Sequence, residues 1–445
     1  MTADIDFCRC LHMHGRVAMI QIETLMEELR KGLYDRRLKE TYMDDSALIY
    51  QRERYIKALR NYQELFNGEQ AAVYSVPGRS EVGGNHTDHQ CGVVLAASVN
   101  LDIIAVAGRS CDRRLRIISE GYGEIMVDLS DLSKKQEEEG TPAGLIRGVA
   151  AGFRSGGFQL EQGFDAYVTS DIPIGAGLSS SAAFEVMVGT IISGLFYDGK
   201  MSPLEIARAA QYAENTYFGK PCGLMDQMAC SEGGLIQIDF KDPVSPEVRK
   251  VHGNFEAYHY SMCIVDTKGS HSNLTEEYAM IPAEMKTVAE YMGKKVLREA
   301  DKGEFFRRLP EMRKAAGDRA VLRAIHFFGE NERAGAEAEA LSEGRFADFL
   351  KLVKESGNSS FKYLQNIYTC KSPWEQGLSI GLAVSEDILG SRGVSRVHGG
   401  GFAGTIQAFV SDDLVNRYRE VMNGIFGEGS CHVLKVRPYG GIRVL

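Results

Sequence analysis

Residues 171–183 read Asp-Ile-Pro-Ile-Gly-Ala-Gly-Leu-Ser-Ser-Ser-Ala-Ala. The apolar run at 164–169 predicts a strand before this stretch, and the run at 182–195 predicts a helix after it. Glycines let the backbone come close to a ligand, and free N–H groups at a helix N-terminus favour phosphate. The stretch therefore predicts a phosphate-binding turn. Serines that only cap a core helix are the alternative, and the residues leave both interpretations open.

Two common nucleotide-binding patterns are absent from this turn. It has no Gly-Lys-Ser/Thr sequence, and Ser180 stands where a dinucleotide fingerprint has its third glycine. Strands and helices do not alternate regularly along the chain, which favours an α+β fold in two lobes. We expect a helical lead over 1–70, a first lobe over 71–240 and a second over 241–445.

Composition narrows the class of partner. The chain of 445 residues has 48 glycines and only 11 prolines, so bare backbone is needed somewhere other than in a linker. Lys and Arg number 51 against 60 Asp and Glu, a formal net charge of −9. This balance argues against a general electrostatic grip on nucleic acid or an anionic membrane, and it favours a small-molecule partner.

The beginning of the chain and the cysteines bear on location. Residues 1–14 lack the apolar segment of a signal peptide, and the apolar run at 186–197 is too short to span a bilayer. The nine scattered cysteines indicate reduced thiols. We expect a cytoplasmic protein that is a monomer or a weak oligomer. A metal site at Cys8, Cys10, His12 and His14 is a weaker interpretation than a frayed N-terminal lead.

A second stretch, residues 77–89, reads Pro-Gly-Arg-Ser-Glu-Val-Gly-Gly-Asn-His-Thr-Asp-His. It combines a cation, two carboxylates, two imidazoles and an amide among turn-forming residues. Such a set can bind many hydroxyl groups at once. A solvated polar loop is the alternative, and composition alone does not decide between the two.

Two further stretches carry chemistry. In residues 214–227, Asp226 lies among apolar neighbours and could be a partly desolvated base or a metal ligand; a helix cap for Asp226 and a solvated face for Glu214 are the alternatives. Residues 396–404, Arg-Val-His-Gly-Gly-Gly-Phe-Ala-Gly, form a backbone concavity that closes over a phosphate, or else a bulged hairpin.

Taken together and in this order, the four stretches resemble the GHMP family of small-molecule kinases and, within it, the galactokinases. The match covers Pro77-Gly-Arg to His86-Thr-Asp88, the turn at 173–183, Pro221-Cys-Gly-x-Met-Asp-Gln227 and the glycine cluster at 399–404. The resemblance implies two lobes with the active site in the cleft between them. It also implies ATP-dependent phosphorylation of the anomeric hydroxyl of galactose, with Mg²⁺.

The resemblance also implies residue roles. Asp226 matches the proposed general base, and Arg79 matches the cation that keeps it ionised. Ser181 and Glu214 match the magnesium-binding pair. Sugar-contacting positions are matched by Arg79, Asn85, His86, Asp88, Gly223, Asp226 and Tyr278. Phosphate-contacting positions are matched by Gly175, Ala176, Gly177, Leu178, Ser179, Ser180, Ser181 and Ala182.

Two departures bear on the substrate. Asn85 stands where galactokinases usually have Glu, and His89 where they usually have Tyr. A neutral amide would remove repulsion against a carboxylate at C6, so a modified galactose such as a galacturonate is an alternative substrate.

A sugar and ATP sensor without catalysis is the rival of another class. A mevalonate or homoserine kinase is disfavoured by residues 86–88 and 225–227.

Overall fold

The computed structural model describes residues 19–173, 175–269 and 274–445. The chain enters through three helices, α1 (Ile22–Arg30), α2 (Asp35–Tyr42) and α3 (Leu48–Phe66). Most of the described part of the predicted lead is therefore helical. Apolar side chains of these helices, Leu25 and Leu59 among them, are buried with Ile104 in one cluster. The lead thus covers one face of a sheet. Residues 8, 10, 12 and 14 of the candidate metal cluster lie outside the described residues.

Two sheets organise the rest of the described chain. The strands are β1 (Ile20–Gln21), β2 (Gln70–Gly83), β3 (Val93–Arg109), β4 (Arg114–Ser119), β5 (Glu124–Asp128), β6 (Phe164–Ser170), β7 (Leu235–Asp239), β8 (Glu247–Val251), β9 (Tyr260–Asp266), β10 (Gly393–His398), β11 (Thr405–Ser411), β12 (Cys431–Leu434) and β13 (Ile442–Arg443). The larger sheet has the order β1-β2-β3-β6-β4-β5, with β13 on β2, β7 on β3 and β8 on β7. The smaller sheet has the order β10-β11-β9-β12 and is antiparallel throughout.

Strand β2 is longer than the sequence predicts. The apolar run suggests an end at Val76, because Pro77-Gly78 is typical of a turn, and that boundary is wrong. The ladder with β3 continues past the proline, pairing Arg79 with Ser98, and the register shifts on both sides of that position. Proline removes only its own N–H donor, so a bulged strand accommodates it. Arg79 is consequently held by a sheet rather than by a loop.

The helices of the first lobe lie against the larger sheet. They are α4 (Pro142–Ser155), α5 (Ser180–Phe196), α6 (Pro203–Tyr212), a π-helical turn (Ala213–Phe218) and α7 (Met225–Glu232). Helix α5 is apolar on most sides and is buried along most of its length. It contacts β2 and β3 on one side and α6 and α7 on the other. This central position holds the N-terminus of α5 firmly at the edge of the cleft.

The second lobe places helices around the smaller sheet. They are α8 (Thr275–Tyr291), α9 (Lys302–Arg307), α10 (Leu309–Ala316), α11 (Asp318–Ser342), α12 (Phe346–Ser359), a π-helical turn (Ser360–Leu364), α13 (Gly377–Leu389) and α14 (Val415–Phe426). Short 3₁₀ turns lie at Asp88–Gln90, Gln136–Glu138, Phe255–Tyr258 and Leu297–Glu299. Helix α11 also contacts β2 and β3 of the other lobe. It therefore reaches the strand that carries Arg79.

The predicted α+β class is confirmed by these helices and mixed sheets. The division at 240/241 stays a prediction, and two strands beyond it, β8 and β13, pair in the larger sheet. The chain thus returns to the first lobe at its end. None of the helices in the described ranges combines the length and the apolar character needed to cross a membrane.

Candidate active site

Arg79 and Asp226 form a two-point ion pair. Arg79 Nε donates to Asp226 Oδ1 at 2.7 Å, and Nη2 donates to Oδ2 at 2.8 Å. The remaining guanidinium nitrogen, Nη1, donates to the carbonyl oxygen of Gly177 at 2.5 Å. A planar guanidinium that makes two parallel bonds fixes the carboxylate in orientation as well as in charge. Strand β2, helix α7 and the turn before α5 therefore meet at this one arginine.

The environment keeps Asp226 ionised. Burial raises the pKa of a carboxyl group, but the charge of Arg79 and the bonds from Arg79 and Ser179 outweigh it, so the pKa of Asp226 is lowered. Ser179 Oγ donates to Oδ2 at 2.5 Å. The three bonds from described residues use three of about four lone-pair positions of a carboxylate. The side chain is 30% exposed, so Oδ1 can accept one more hydrogen bond from the cleft.

The turn before α5 has the backbone of an anion cradle. Gly175 and Gly177 have φ values of +80° and +67°, and Ser179, at the N-cap of α5, has +54°. Ser179 makes no capping hydrogen bond to the helix, because its hydroxyl bonds Asp226 instead. This argues against the alternative in which Ser179 merely caps α5. The first N–H groups of α5 are left for another acceptor, as an anion site requires.

The glycine cluster of the second lobe lies against this turn. Residues 399–404 connect the antiparallel strands β10 and β11, so the hairpin interpretation describes their topology. A Cβ added to Gly177 would lie 2.6 Å from Thr405 Oγ1 and 3.0 Å from His398 Nδ1. The backbone N–H of Glu81 donates to His398 Nε2 at 3.2 Å, which leaves the ring proton on Nδ1. The hairpin therefore touches both the phosphate turn and strand β2.

Three rings gather at the end of β2. The ring centroid of Tyr278 lies 5.4 Å from that of His86 and 6.2 Å from that of His89. Burial, reinforced by the nearby His89, lowers the pKa of His86 to about 3, so this imidazole is neutral. Its Nε2 lies 3.0 Å from the carbonyl oxygen of Gly400 and is the donor of that bond. A Cβ on Gly223 would lie 2.6 Å from Asp88 Oδ2. The second and third stretches therefore converge here.

Asn85, matched to a sugar-contacting position, lies behind these rings and is fully buried. Its Nδ2 donates to Glu81 Oε1 at 3.0 Å and to the Gly399 carbonyl at 2.8 Å. Its Oδ1 accepts from Asn366 Nδ2 at 3.0 Å and from Ser360 Oγ at 3.3 Å. All four hydrogen-bonding positions of the amide are therefore used by protein atoms. A direct contact with sugar at Asn85 would require one of these bonds to break.

Sequence reasoning missed a set of contacts from helix α11 to the loop that follows β2. Glu330 Oε1 accepts from the backbone N–H groups of Gly84 at 3.2 Å and Asn85 at 3.3 Å. One turn earlier on the same face, His326 Nε2 lies 2.9 Å from the Asn85 carbonyl oxygen. His326, Glu330 and Glu337 are fully buried, although this helix is otherwise rich in charge. Their spacing on one face of the helix was the only sign in the sequence that they act together. It did not reveal their burial, because buried and solvated charged residues look alike in a sequence.

Of the matched magnesium pair, Ser181 lies in the first turn of α5 and Glu214 in the π-helical turn before α7. Glu214 is buried; its Oε1 accepts from Lys220 Nζ at 2.8 Å and its Oε2 from Gln227 Nε2 at 2.7 Å. Glu185, one turn after Ser181 on α5, has a buried Oε1 without a hydrogen-bond partner among the described residues. Burial and the charge of Glu214 raise the pKa of Glu185 to about 9.

These oxygens fit a hard cation. Within residues 19–173, 175–269 and 274–445, no group of three or more His, Cys, Asp or Glu side chains could hold a metal. Magnesium in kinases is commonly bound by one or two protein oxygens, with phosphates and water completing the shell. Ser181 and Glu214 suit that role. Lys220 is largely exposed, so it can move away from Glu214.

Two stretches of the chain match family models. Residues 60–109 match the sequence profile described as the galactokinase galactose-binding signature, and residues 144–234 match the GHMP kinases N terminal domain. The galactokinase of Actinobacillus pleuropneumoniae serotype 3 (strain JL03) is 30% identical over 369 residues, which are 82% of this chain and 92% of the relative.

Two solved structures share the fold. The crystal structure of Lactococcus lactis galactokinase complexed with galactose has a TM-score of 0.74 at 24% identity, over 86% of this chain and 98% of that chain. Methanococcus jannaschii mevalonate kinase has a TM-score of 0.56 at 17% identity, over 82% and 98% of the two chains.

The matched N-terminal domain and the shared fold place the chain among the small-molecule kinases of the GHMP class. Within that class the chain belongs to the galactokinase family. It is an ATP-dependent sugar kinase, as the resemblance predicted.

Proposed function

We propose that the chain phosphorylates the anomeric hydroxyl of galactose or a closely related sugar, with Asp226 as the general base. One observation carries the proposal: Asp226 is bonded at once to Arg79, from the strand that leads into the loop at 84–92 (the sugar loop), and to Ser179 from the turn before α5. A base in that position lies between the acceptor and the donor of a phosphoryl group. The rings of His86 and Tyr278, with Asp88, line the sugar side.

The reaction follows from these positions. The C1 hydroxyl donates to Asp226 Oδ1, its oxygen bonds the γ-phosphorus of ATP, and the bond from that phosphorus to the β–γ bridging oxygen breaks to release ADP. Because the pKa of Asp226 is lowered, it takes the proton late, after most of the transfer. Phosphoryl transfer allows this, since positioning and charge stabilisation dominate its barrier. Arg79 neutralises charge that develops beside the phosphate turn.

The nucleotide would lie with its phosphates on residues 175–182 and on the N-terminus of α5. Ser181 and Glu214 would hold Mg²⁺, which offsets the charge of the β- and γ-phosphates. Lys220 pairs with Glu214, and its exposed side chain leaves it able to release that carboxylate.

The test is turnover of purified protein with Asp226→Asn, measured as ADP release with galactose. We expect kcat to fall about 100- to 10,000-fold, the range of general-base catalysis, with MgADP affinity retained. Asp348→Asn, an exposed member of an ion pair with Arg345, is the matched control and should behave as wild type. Turnover of Asp226→Asn within tenfold of wild type would overturn the assigned base.

A second candidate substrate is a galactose with a carboxylate at C6, such as galacturonate. The observation in its favour is the charge around residue 85: Asn85 is neutral, and the nearby Glu81 is paired with the buried Arg396. Because the Asn85 amide is fully bonded to protein, it would not contact the sugar. Its effect on substrate choice would come from the absence of the negative charge that a glutamate would carry at this position. Coulombic repulsion does not require contact.

The substrate is decided by kcat/KM for galactose, galacturonate and N-acetylgalactosamine measured side by side. Asn85→Glu alone would place a carboxylate against Glu81, so the exchange Glu81→Asn with Asn85→Glu, which conserves charge, is its partner variant. If the second candidate holds, wild type prefers galacturonate and the exchange moves preference toward galactose. A wild-type preference for galactose would sink the candidate.

A further inference from the structure

Helix α3 of the N-terminal lead reaches the root of the phosphate turn. Arg54 Nη1 lies 2.9 Å from Asp171 Oδ2, and Tyr50 Oη donates to Asp171 Oδ1 at 2.8 Å. Both carboxylate oxygens of Asp171 are therefore bonded by one face of α3. Asp171 directly follows β6 and lies four residues before Gly175, where the positive-φ backbone of the turn begins.

Arg54 is itself anchored in the first lobe. Its Nη1 donates to Asp102 Oδ1 at 2.6 Å, and its Nη2 donates to the Asp102 carbonyl at 3.1 Å. Asp102 is completely buried and also accepts from Tyr42 at 2.8 Å and lies 3.2 Å from Arg437 Nη1. One arginine thus joins the centre of the larger sheet to the entry of the phosphate turn.

The main chain closes the same link. The backbone N–H of Asp171 donates to the Asp102 carbonyl at 2.9 Å, so Asp171 is held by its backbone as well as by its side chain. The next residue, Ile172, packs against Gly78, where a Cβ would lie 3.3 Å from its Cδ1. Gly78 directly precedes Arg79. The residue that follows Asp171 therefore lies against β2, one residue before Arg79.

The turn needs such an anchor. Gly175, Gly177 and Ser179 all have positive φ. For the serine this conformation costs free energy, so contacts with the surrounding residues must stabilise it. Within the turn, Ala176 and Leu178 are the buried apolar side chains. Arg79 and Asp226 bond Gly177 and Ser179 in the middle of the turn, and its position also depends on its two ends. Helix α5 is the fixed point at one end, and Asp171 stands at the other.

We propose that α3 acts as a support for the phosphate turn, with Arg54 and Tyr50 as positioning residues that hold Asp171 and thereby the triphosphate site. This rests on the proposed function of residues 175–182 as that site. The support sets nucleotide affinity and leaves sugar affinity unchanged, because its contacts reach the turn and not the ring cluster of His86, His89 and Tyr278.

The experiment compares Tyr50→Phe, Arg54→Lys and Asp171→Asn with wild type by titration with MgADP and with galactose, together with Tm. Tyr34→Phe is the matched control: its hydroxyl also donates to a carboxylate, that of Glu28, but both residues belong to the N-terminal lead and the bond does not involve Asp171. We expect MgADP affinity to fall about three- to tenfold in the three variants, as befits a lost bond to a charged group, and galactose affinity to stay within about twofold.

Each outcome has a distinct meaning. Tyr50 is an exposed residue, so Tyr50→Phe keeps the test valid if Arg54→Lys fails to fold. A lower Tm in Tyr50→Phe and Asp171→Asn with wild-type MgADP affinity would overturn the proposal, since the contacts would then serve stability alone. Equal losses of MgADP and galactose affinity would overturn it too. Wild-type protein that binds no MgADP would instead overturn the proposed function.

Discussion

Arg79 and Asp226 are 147 residues apart in the chain and face each other through two parallel hydrogen bonds of 2.7 and 2.8 Å. Strand β2 holds the arginine, and the first turn of α7 holds the aspartate. The pair keeps the carboxylate ionised without enclosing it, since the Asp226 side chain stays 30% exposed. The contact with Arg79 thus determines both the charge of the Asp226 carboxylate and how much of it is open to a substrate hydroxyl.

The Arg79 side chain should control the pH profile. In wild type the pKa of Asp226 lies below its ordinary value of 3.8, so kcat should be independent of this group from neutral pH down to mildly acidic pH. In Arg79→Gln, burial dominates and raises that pKa, so kcat should fall as pH decreases through a higher value than in wild type. The measurement is kcat from about pH 4 to about pH 8. An acid limb at the same pH in both proteins would contradict the electrostatic role of Arg79.

Two glycines of the phosphate turn separate backbone strain from steric contact. Both Gly175 and Gly177 have positive φ, but a Cβ on Gly175 would meet nothing within 4 Å, whereas one on Gly177 would meet Thr405 Oγ1 at 2.6 Å. Gly177→Ala should therefore raise KM for ATP more than Gly175→Ala does, and lower the free energy of unfolding by about 1–3 kcal/mol. Steady-state kinetics and denaturant unfolding measure the two effects. Equal effects at the two positions would show that the hairpin does not press on the turn.

Glu330 should affect sugar binding without touching sugar. Glu330→Gln weakens its bonds to the Gly84 and Asn85 N–H groups and removes a charge. We expect KM for the sugar to rise several-fold with KM for ATP unchanged, and stability to fall by about 1–3 kcal/mol. Glu332→Gln, on the exposed face of the same helix in an ion pair with Lys302, is the control. A rise in the KM values for both the sugar and ATP would show that Glu330 does not act through the sugar loop alone.

The Glu330 carboxylate should also affect how the stability of the protein changes at acidic pH. Burial opposes ionisation of Glu330, but His326, Arg333 and Arg396 outweigh it and lower its pKa from 4.5 to about 2. A lowered folded-state pKa stabilises the protein above the unfolded value of 4.5, and that stability is lost as pH falls toward 2. Between about pH 5 and about pH 3, the Tm of wild type should thus fall more steeply than that of Glu330→Gln. Parallel curves would show that Glu330 carries no such linkage.

The sequence predicted which helices and strands are present better than it predicted where each of them ends. Apolar periodicity identified the N-terminal helices and the long helix after the serine run, because both patterns depend on neighbours within one or two turns. It stopped β2 at Val76, since Pro77 and Gly78 are turn formers when read locally. The ladder with Ser98 and Ala97 extends the strand through them, and a strand partner distant in the chain leaves no local mark.

Within the site, the same limit applies to Asn85. Its residue type marks it as a departure from the family pattern, but the sequence does not show that Glu81, Ser360, Asn366 and Gly399 use all of its hydrogen bonds. Nor does it show that Glu330 and His326 hold the loop from a helix more than 240 residues away. These contacts depend on burial, and a charged residue in a helix reads the same whether it is solvated or buried.

By itself, the sequence determined that this chain has a turn rich in glycine and serine before a helix, a polar loop after a strand and a carboxylate among apolar residues, because glycine, serine and proline restrict the backbone locally. Only the tertiary structure decided that Arg79, Ser179 and Asp226 bond one another, and that Arg54 of the N-terminal lead reaches Asp171. Such pairings are set by the packing of whole sheets and helices. A carboxylate's pKa and its free lone pair depend on every group packed around it, wherever that group lies in the chain.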